Sequence, residues 1–579
     1  MGIFNLDRDT TKCRIVFLSN LCENSSKSNP VISHNQAMWA GPCLNQKIST
    51  SLFQIRFDKY LMCFDLKKAF QQIALEETDQ NKLLFFWFKN LNMGDFTCIA
   101  YRNLRLSFGL RCSPTILMVG LFKILILDAR VDPIELRNLK KLIYSLLYMD
   151  NGAFTANDQE SLRWGFQKLN EIFHPYKFAL QQFVTNDETL QSDIDHKLEI
   201  ETPKVVKLFG LNWDRITDKI STCKLKLDPE ADNKRLVLKS IALNFDPYNF
   251  NGPILNRARL FMHSLQTDKS LSWDKKLSYR QQKEWNNICK QVNATPEIEI
   301  QRFVGERNSS YRLIAFTDSS KSIYGTTVFI QDISTLEVNF VLAKNRLVNR
   351  QLENKSIPSL ELQAVVLGTE TLTDLCQEIT GPQCPTPIKI TELVLYTDSM
   401  VSLSWINGYV NTLDKMNKKS VFILNRLELL QRLCNKHPVK FSFISGILNP
   451  ADCITRCISY KVLKRTNYFS GPKFLRTEIS EEIGNNDNFD VIVPNPMAGQ
   501  KVTNYSLNTS DTTNVSLSIQ SEHLIDLNEV SKFSKLNKIH MLVLKFIWNL
   551  KERIRARKNL SSDSRPNLYL KAFNIVIKK

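Results

Sequence analysis

Apolar residues along this chain fall into short runs that stop at an acidic or a turn residue, and this punctuation predicts most of its elements. Tyr60 to Phe64 is an apolar, aromatic run ending at Asp65, and Lys67 to Leu75 carries apolar residues at helical spacing, which predicts a strand followed by a helix. Leu142 to Met149 is rich in Leu, Ile and Tyr. Asp150-Asn151-Gly152 is then a turn signal and Ala153-Phe154-Thr155 resumes extended character, so Asp150 is expected at a hairpin tip. From Tyr311 the pattern restarts. Arg312 to Phe316 reads as a strand reaching Asp318, and Tyr324 to Gln331 reads as its hairpin partner. Pro358 and Ser359 mark a helix start with Glu361 in its first turn. Glu392 to Thr397 is another strand ending in an acid, Asp398, and Asn449-Pro450-Ala451-Asp452 opens a short late helix.

Two groups of acids follow from this layout. A phosphoryl-transfer site built on two divalent cations needs carboxylates from different strands, side by side on rigid backbone. Asp65 and Asp150 meet that need, and Asp318, Glu361, Asp398 and Asp452 follow in the order strand, helix, strand, helix. Taken singly, each reads more readily as a turn, capping or surface carboxylate, because Asp is a common turn residue. The order of the whole set is what points to chemistry.

With its neighbours, the first pair resembles the palm of a reverse transcriptase from a long-terminal-repeat retroelement of the Pao/BEL type. The motifs are Lys12-Cys13-Arg14-Ile15-Val16-Phe17, Cys63-Phe64-Asp65-Leu66-Lys67-Lys68-Ala69-Phe70, Leu106-Ser107-Phe108-Gly109-Leu110-Arg111-Cys112-Ser113-Pro114, Leu147-Tyr148-Met149-Asp150-Asn151-Gly152 and Lys207-Leu208-Phe209-Gly210-Leu211-Asn212-Trp213. The resemblance implies that Asp65 and Asp150 hold metal ions and that Phe70 is an aromatic gate under the sugar of the incoming deoxynucleotide. It further implies that Phe108 and Gly109 lie beside nucleotide and template, that Arg14 grips triphosphate, and that the last motif is a hairpin positioning the primer end. Asn151 departs from the family, which has a second aspartate there; Asn keeps the shape and loses the charge. Few residues precede the Arg14 motif, so part of the fingers is expected to be absent.

The downstream acids resemble the ribonuclease H domain of the same elements. That resemblance implies a cradle of Asp318, Glu361 and Asp398, completed by Asp452, holding two Mg²⁺ or Mn²⁺ ions. The implied substrate is the RNA strand of an RNA/DNA hybrid, recognised through 2′-hydroxyls. Many enzymes of this fold carry a histidine near the last acid, and Ser445 to Pro450 contains none; His437 reads as structural.

Composition adds the partner. Formal net charge is +18 over 579 residues with a 43% hydrophobic content, a globular balance carrying more positive charge than solubility requires. Counterion release from phosphates makes nucleic acid the simplest polyanionic partner, and the resemblance implies an RNA template and an RNA/DNA hybrid. The 13 cysteines form no short-range framework and no secretory leader is read, so a reducing, intracellular setting, cytoplasmic or nuclear, is expected. Apolar stretches such as Thr115 to Leu127 are too short for a bilayer.

The expected architecture is therefore α+β and α/β multidomain: fingers and palm over 1–225, a helical thumb and connection over 226–310, and an RNase H-like domain over 311–464. A flexible linker over 465–528 and a basic helical tail over 529–579 follow. The expected activity is RNA-directed DNA polymerase with ribonuclease H, the polymerase half weakened by Asn151. A degenerate or domesticated nucleic-acid-binding remnant without turnover is the alternative. An aspartic peptidase would need Asp-Thr-Gly or Asp-Ser-Gly, and neither tripeptide occurs.

Overall fold

Tyr60–Leu66 is the middle strand of a three-stranded antiparallel sheet, between Asn151–Ala156 and Leu180–Thr185. A computed structural model describes residues 33–477 apart from 91–94, 128–131, 382–383, 385 and 412–419. It also gives the backbone of Gly2–Phe4, Cys13–Ile15 and Val491–Ile492. The expected tail over 529–579, most of the expected linker, and the Arg14 side chain lie outside the described residues. The first sheet is backed by the Gln159–Phe173 helix, whose first turn is capped by Asp158 accepting from the Ser161 N–H at 2.7 Å. Gly165 lets that helix close on the sheet: a Cβ there would stand 2.5 Å from the Phe154 ring.

Two sequence expectations fail here for local reasons. Lys67 to Leu75 is not a helix. Lys68 turns left-handed at φ +53°, only Ala69–Gln72 makes a 3₁₀ turn, and Ala74 then bridges Arg105, so pairing with another segment overrides the helical spacing. Leu142 to Ser145 is not strand but the end of the Ile134–Ser145 helix, which leaves only Tyr148 to pair with Asn151.

A four-stranded sheet follows, in which Val205–Leu208 and Leu211–Asp214 form a tight hairpin, with Lys219–Ser221 and then Glu299–Gln301 beside them. Phe209 and Gly210 both have positive φ (48° and 89°), as a two-residue hairpin turn matching strand twist requires. The helices Lys234–Ala242, Gly252–Thr267 and Tyr279–Asn293 are inserted before the last of these strands.

The largest sheet has six strands. Ser310–Ser319, Ile323–Asp332 and Val338–Leu347 form an antiparallel meander; Lys389–Thr397 lies parallel to Ser310–Ser319, and Lys440–Phe443 parallel to Lys389–Thr397. Val491–Ile492 completes the edge. Parallel neighbours need a crossover, here provided by the 24-residue Ile357–Thr380 helix packed on the sheet. Ile323–Asp332 is buried at every position, as expected of a strand covered on both faces.

Buried arginines join the sheets. Arg302 donates to the carbonyls of Ile55, Asp58 and Lys59 and pairs with Asp218 at 2.7 Å. Arg56 donates to the carbonyls of Gln301, Arg302 and Phe340, the last on the six-stranded sheet. Burial pulls the Arg56 guanidinium down to about 10. Among the described residues no helix is long and apolar enough to cross a membrane.

Replacing Arg302 by Met is expected to destabilise the fold by about 3–5 kcal/mol, because the part-buried Asp218 carboxylate loses its cation and the carbonyls of Ile55, Asp58 and Lys59 each lose a guanidinium hydrogen bond. Urea unfolding of the two proteins measures the difference.

Candidate functional site

Hydrogen bonding between strands brings Asp65 and Asp150 together. Asp65 is the penultimate residue of its strand and lies opposite Asn151 on one neighbour and Gln181 on the other. The next N–H, from Leu66, donates to the Asp150 carbonyl at 2.7 Å. Asp150 sits in a two-residue turn closed by reciprocal Tyr148–Asn151 bonds of 2.9 and 3.1 Å, so it is at a hairpin tip as expected. Met149 takes φ +60° in that turn, a conformation that a long side chain adopts only at a cost that its surroundings must offset. Asn45 helps to hold it, donating from Nδ2 to its sulfur at 3.4 Å. Asp65 Oδ2 accepts from Gln181 Nε2 at 2.7 Å. Asp150 Oδ1 accepts from Asn151 Nδ2 at 3.1 Å, so Asn151 gives a hydrogen bond where a carboxylate would add charge.

Phe70 and Phe108 also meet. Their rings pack edge to face, 4.9 Å between centroids, after the turn at Lys68 has swung the chain back beside the sheet. Gly109 has φ +92°, open to glycine, and its loop is pinned by one side chain: Asn35 donates to the Gly109 carbonyl and accepts from the Arg111 N–H, each at 2.8 Å. Sequence reasoning missed Asn35 and Gln181. The only hint of Asn35 is the Ser33/Gln36 capping box around it. Arg14 has its backbone in Cys13–Ile15, paired with Gly2–Phe4.

The second group lies at one end of the six-stranded sheet. Thr317 and Thr397 are register partners on adjacent parallel strands, so Asp318 and Asp398, each the next residue, emerge side by side. Glu361 is the fifth residue of the Ile357–Thr380 helix, just beyond its first turn rather than in it. Asp452 opens the Asp452–Thr455 helix. Burial, then the charges of Asp318 and Glu361, push the Asp398 carboxyl up to about 6. Burial also raises Asp318, with the Asp452 charge adding to it and a hydrogen bond from the Thr455 hydroxyl opposing it. Asp452 is paired with Arg456 at 2.5 Å, and that pairing, with the charges of Asp318 and Asp398, holds the Arg456 guanidinium above its ordinary value. The four acids therefore share one electrostatic environment, with Arg456 as its cation.

Thr455, Arg456 and Asn449 were not foreseen. Asn449 donates to the Thr317 carbonyl at 3.0 Å, tying the loop before Asp452 to the strand that carries Asp318. Gly446 passes so close that a Cβ would stand 3.0 Å from Asp398 Oδ2. His437 lies elsewhere, its ring against Cys376 and Gln377, consistent with a structural residue. Oxygen donors on rigid elements suit Mg²⁺ or Mn²⁺, and mutual repulsion is what a cation would relieve. Among the described residues, however, no three acidic, His or Cys side chains stand close enough to hold an ion as they are placed. The donor chemistry fits such an ion.

Comparison with known proteins gives the class. Residues 7–183 match the family model for reverse transcriptase (RNA-dependent DNA polymerase), a span containing Arg14, Asp65, Phe70, Phe108, Gly109 and Asp150. The chain thus combines a reverse transcriptase domain with the RNase H-like sheet downstream. Residues 233–399 match the Pao retrotransposon-like RNaseH-like domain, and the two matches together support a Pao/BEL-type retrotransposon fragment with reverse transcriptase and RNase H-like domains. That match includes Asp318, Glu361 and Asp398 and crosses residue 310 into the preceding helices.

Similar solved structures include foamy viral protease-reverse transcriptase dRH in complex with double-stranded DNA, at TM-score 0.49 and 11% identity over 77% of this chain and 64% of that one. Foamy viral protease-reverse transcriptase in complex with RNA/DNA hybrid gives TM-score 0.43 and 13% identity over 69% of this chain and 46% of that one. The chain spans less than two thirds of either structure's length. No curated protein matches.

The raised Asp398 carboxyl fixes a sign. Between its unfolded value near 3.8 and about 6, the folded state keeps a proton that the unfolded state has lost. Metal-free stability should therefore fall as pH rises through that window. Asp398→Asn should flatten the fall and raise the midpoint at pH 7, as thermal melts across the window will show.

Proposed function

We propose that this chain cuts the RNA strand of RNA/DNA hybrids and extends primers on an RNA template, each by phosphoryl transfer at a carboxylate site. The observation that carries the nuclease half is the convergence of Asp318 and Asp398 from adjacent parallel strands, with Glu361 and Asp452 in the same field. In this reading Asp318, Glu361 and Asp398 form the cradle and Asp452, now on Arg456, completes it. When bound, two Mg²⁺ or Mn²⁺ ions would activate a water and stabilise the leaving 3′ oxygen. The side chains' part is to fix where charge is held and to keep the hybrid backbone against the sheet end. Hybrid choice rests on 2′-hydroxyl contacts and needs no base reading. The +18 net charge supports a nucleic-acid partner.

In the polymerase half, Asp65 and Asp150 are the metal ligands. Phe70, braced by Phe108, forms the wall under the deoxynucleotide sugar, Gly109 allows close backbone approach, and Arg14 takes the triphosphate. Asn151 favours a second reading for this half alone, a nucleic-acid-binding remnant with little turnover, because a neutral amide replaces a charge beside two cations. We assign fingers and palm to 1–225, thumb and connection to 226–310, and the nuclease domain to 311–464.

With Mg²⁺ or Mn²⁺ the purified chain should cut hybrid RNA, and Asp398→Asn should lower the rate by about 10²–10³-fold, the scale seen when a group stabilising transition-state charge is removed. Undiminished cutting by that variant would falsify the nuclease assignment. Extension of a primed RNA template should be weak and should rise in Asn151→Asp; a flat response would mean that missing charge is not what limits it.

A further inference from the structure

Asp452–Thr455 is a single helical turn of four residues. A turn that short makes too few of its own bonds to persist alone, and the carbonyls at its end need outside donors. Distant side chains supply them: Asn345 donates to the Ile454 carbonyl at 3.3 Å, and a second amide reaches both that carbonyl and the Arg456 one. Asn256, fully buried on the Gly252–Thr267 helix, donates from Nδ2 to the carbonyls of Ile454 at 2.8 Å and Arg456 at 3.1 Å. Its amide cannot turn freely, because Oδ1 accepts from Asn345 Nδ2 at 2.6 Å, on the Val338–Leu347 strand of the six-stranded sheet.

Packing repeats the same connection. The Ile454 side chain is wedged between two glycines: a Cβ on Gly252 would stand 2.5 Å from its Cδ1, and one on Gly325 would stand 2.8 Å from its Cγ2. Gly252 begins the helix that carries Asn256, and Gly325 is the register partner of Asp318. Thr455, the next residue, donates its hydroxyl to Asp318. This one turn therefore carries one acid of the site, grips a second, and is set in place by a helix outside the sheet. The Pao-type match includes Asn256 together with Asp318, Glu361 and Asp398.

From this geometry we infer that Asn256 is a positioning residue of the nuclease site, holding Asp452 and, through Thr455, Asp318 at the spacing that cation capture needs. The inference rests on the ribonuclease H reading above. Asn256→Asp keeps the side-chain shape and turns an oxygen toward two carbonyls in place of the donor. In the full chain, kcat for hybrid cleavage should fall by about 10- to 100-fold, as a misplacement near 1 Å can cause. KM for hybrid should change by less than about twofold, since the substrate contacts remain. Calorimetric titration with Mn²⁺ alone should show weaker binding than wild type while the thermal melt stays cooperative.

Wild-type cutting with kcat and Mn²⁺ affinity unchanged in the variant overturns the inference and leaves the nuclease reading standing. A change confined to KM overturns it as well. A wild-type chain that neither cuts hybrid nor binds Mn²⁺ removes the nuclease reading and this inference with it. If Asn256→Asp does not fold, Asn256→Ser, which offers one hydroxyl donor in place of the two amide hydrogens, is judged by the same criteria.

Discussion

Four carboxylates gathered at one end of a sheet repel one another, and the rest of the downstream fold is arranged to resist that. Asp398 shows the repulsion most directly, pushed up to about 6 by burial and by the charges of Asp318 and Glu361. Holding such groups in place requires backbone that cannot yield. Adjacent parallel strands supply it for Asp318 and Asp398, the long crossover helix for Glu361, and the pinned turn for Asp452. Arg456 offsets part of the charge from the same turn. The turn is the weakest of these mounts by length, which is why a buried amide and two glycines are spent on it.

The upstream pair solves the same problem with fewer charges. Asp65 and Asp150 are mounted on a strand end and a hairpin tip, and each already accepts a hydrogen bond from a neutral amide, Gln181 or Asn151. A site with two acids and two amide donors repels itself less, and it offers less negative charge to a cation. The two groups thus differ in how much negative charge they gather. Asn151 accounts for part of that difference, since an aspartate there would add a third carboxylate beside Asp65 and Asp150.

Strand-end acids were legible because apolar runs in this chain stop at them, and a strand end is where a rigid backbone can present a carboxylate. The hairpin of Lys207 to Trp213 was legible only through the family resemblance of its motif, and Phe209 and Gly210 take the positive φ its turn requires. Lys67 to Leu75 was misread because its apolar spacing fits a helix, whereas the turn at Lys68 and the Ala74–Arg105 bridge are decided by segments elsewhere. Leu142 to Met149 was misread because Leu, Ile and Tyr suit strand or helix alike, and the helix had begun at Ile134. Asn35, Gln181, Asn256 and Thr455 were invisible for one shared cause. Each acts on a partner 70 or more positions away, and local pattern carries no trace of such a pairing.

Long-range polar contacts of this kind also decide how the two sites relate. Arg56 reaches from the segment before the first sheet to Phe340 on the six-stranded sheet, and Arg302 ties the second sheet to the loop at Asp58. Tyr248 donates to the Leu52 carbonyl at 2.5 Å, and Tyr468 to the Asn249 carbonyl at 2.9 Å, both buried. Because a buried guanidinium or phenol that loses its partner is left uncompensated, each contact resists hinge motion more strongly than an exposed pair would. The spacing between the Asp65 and Asp398 ends is therefore a property of a packed junction.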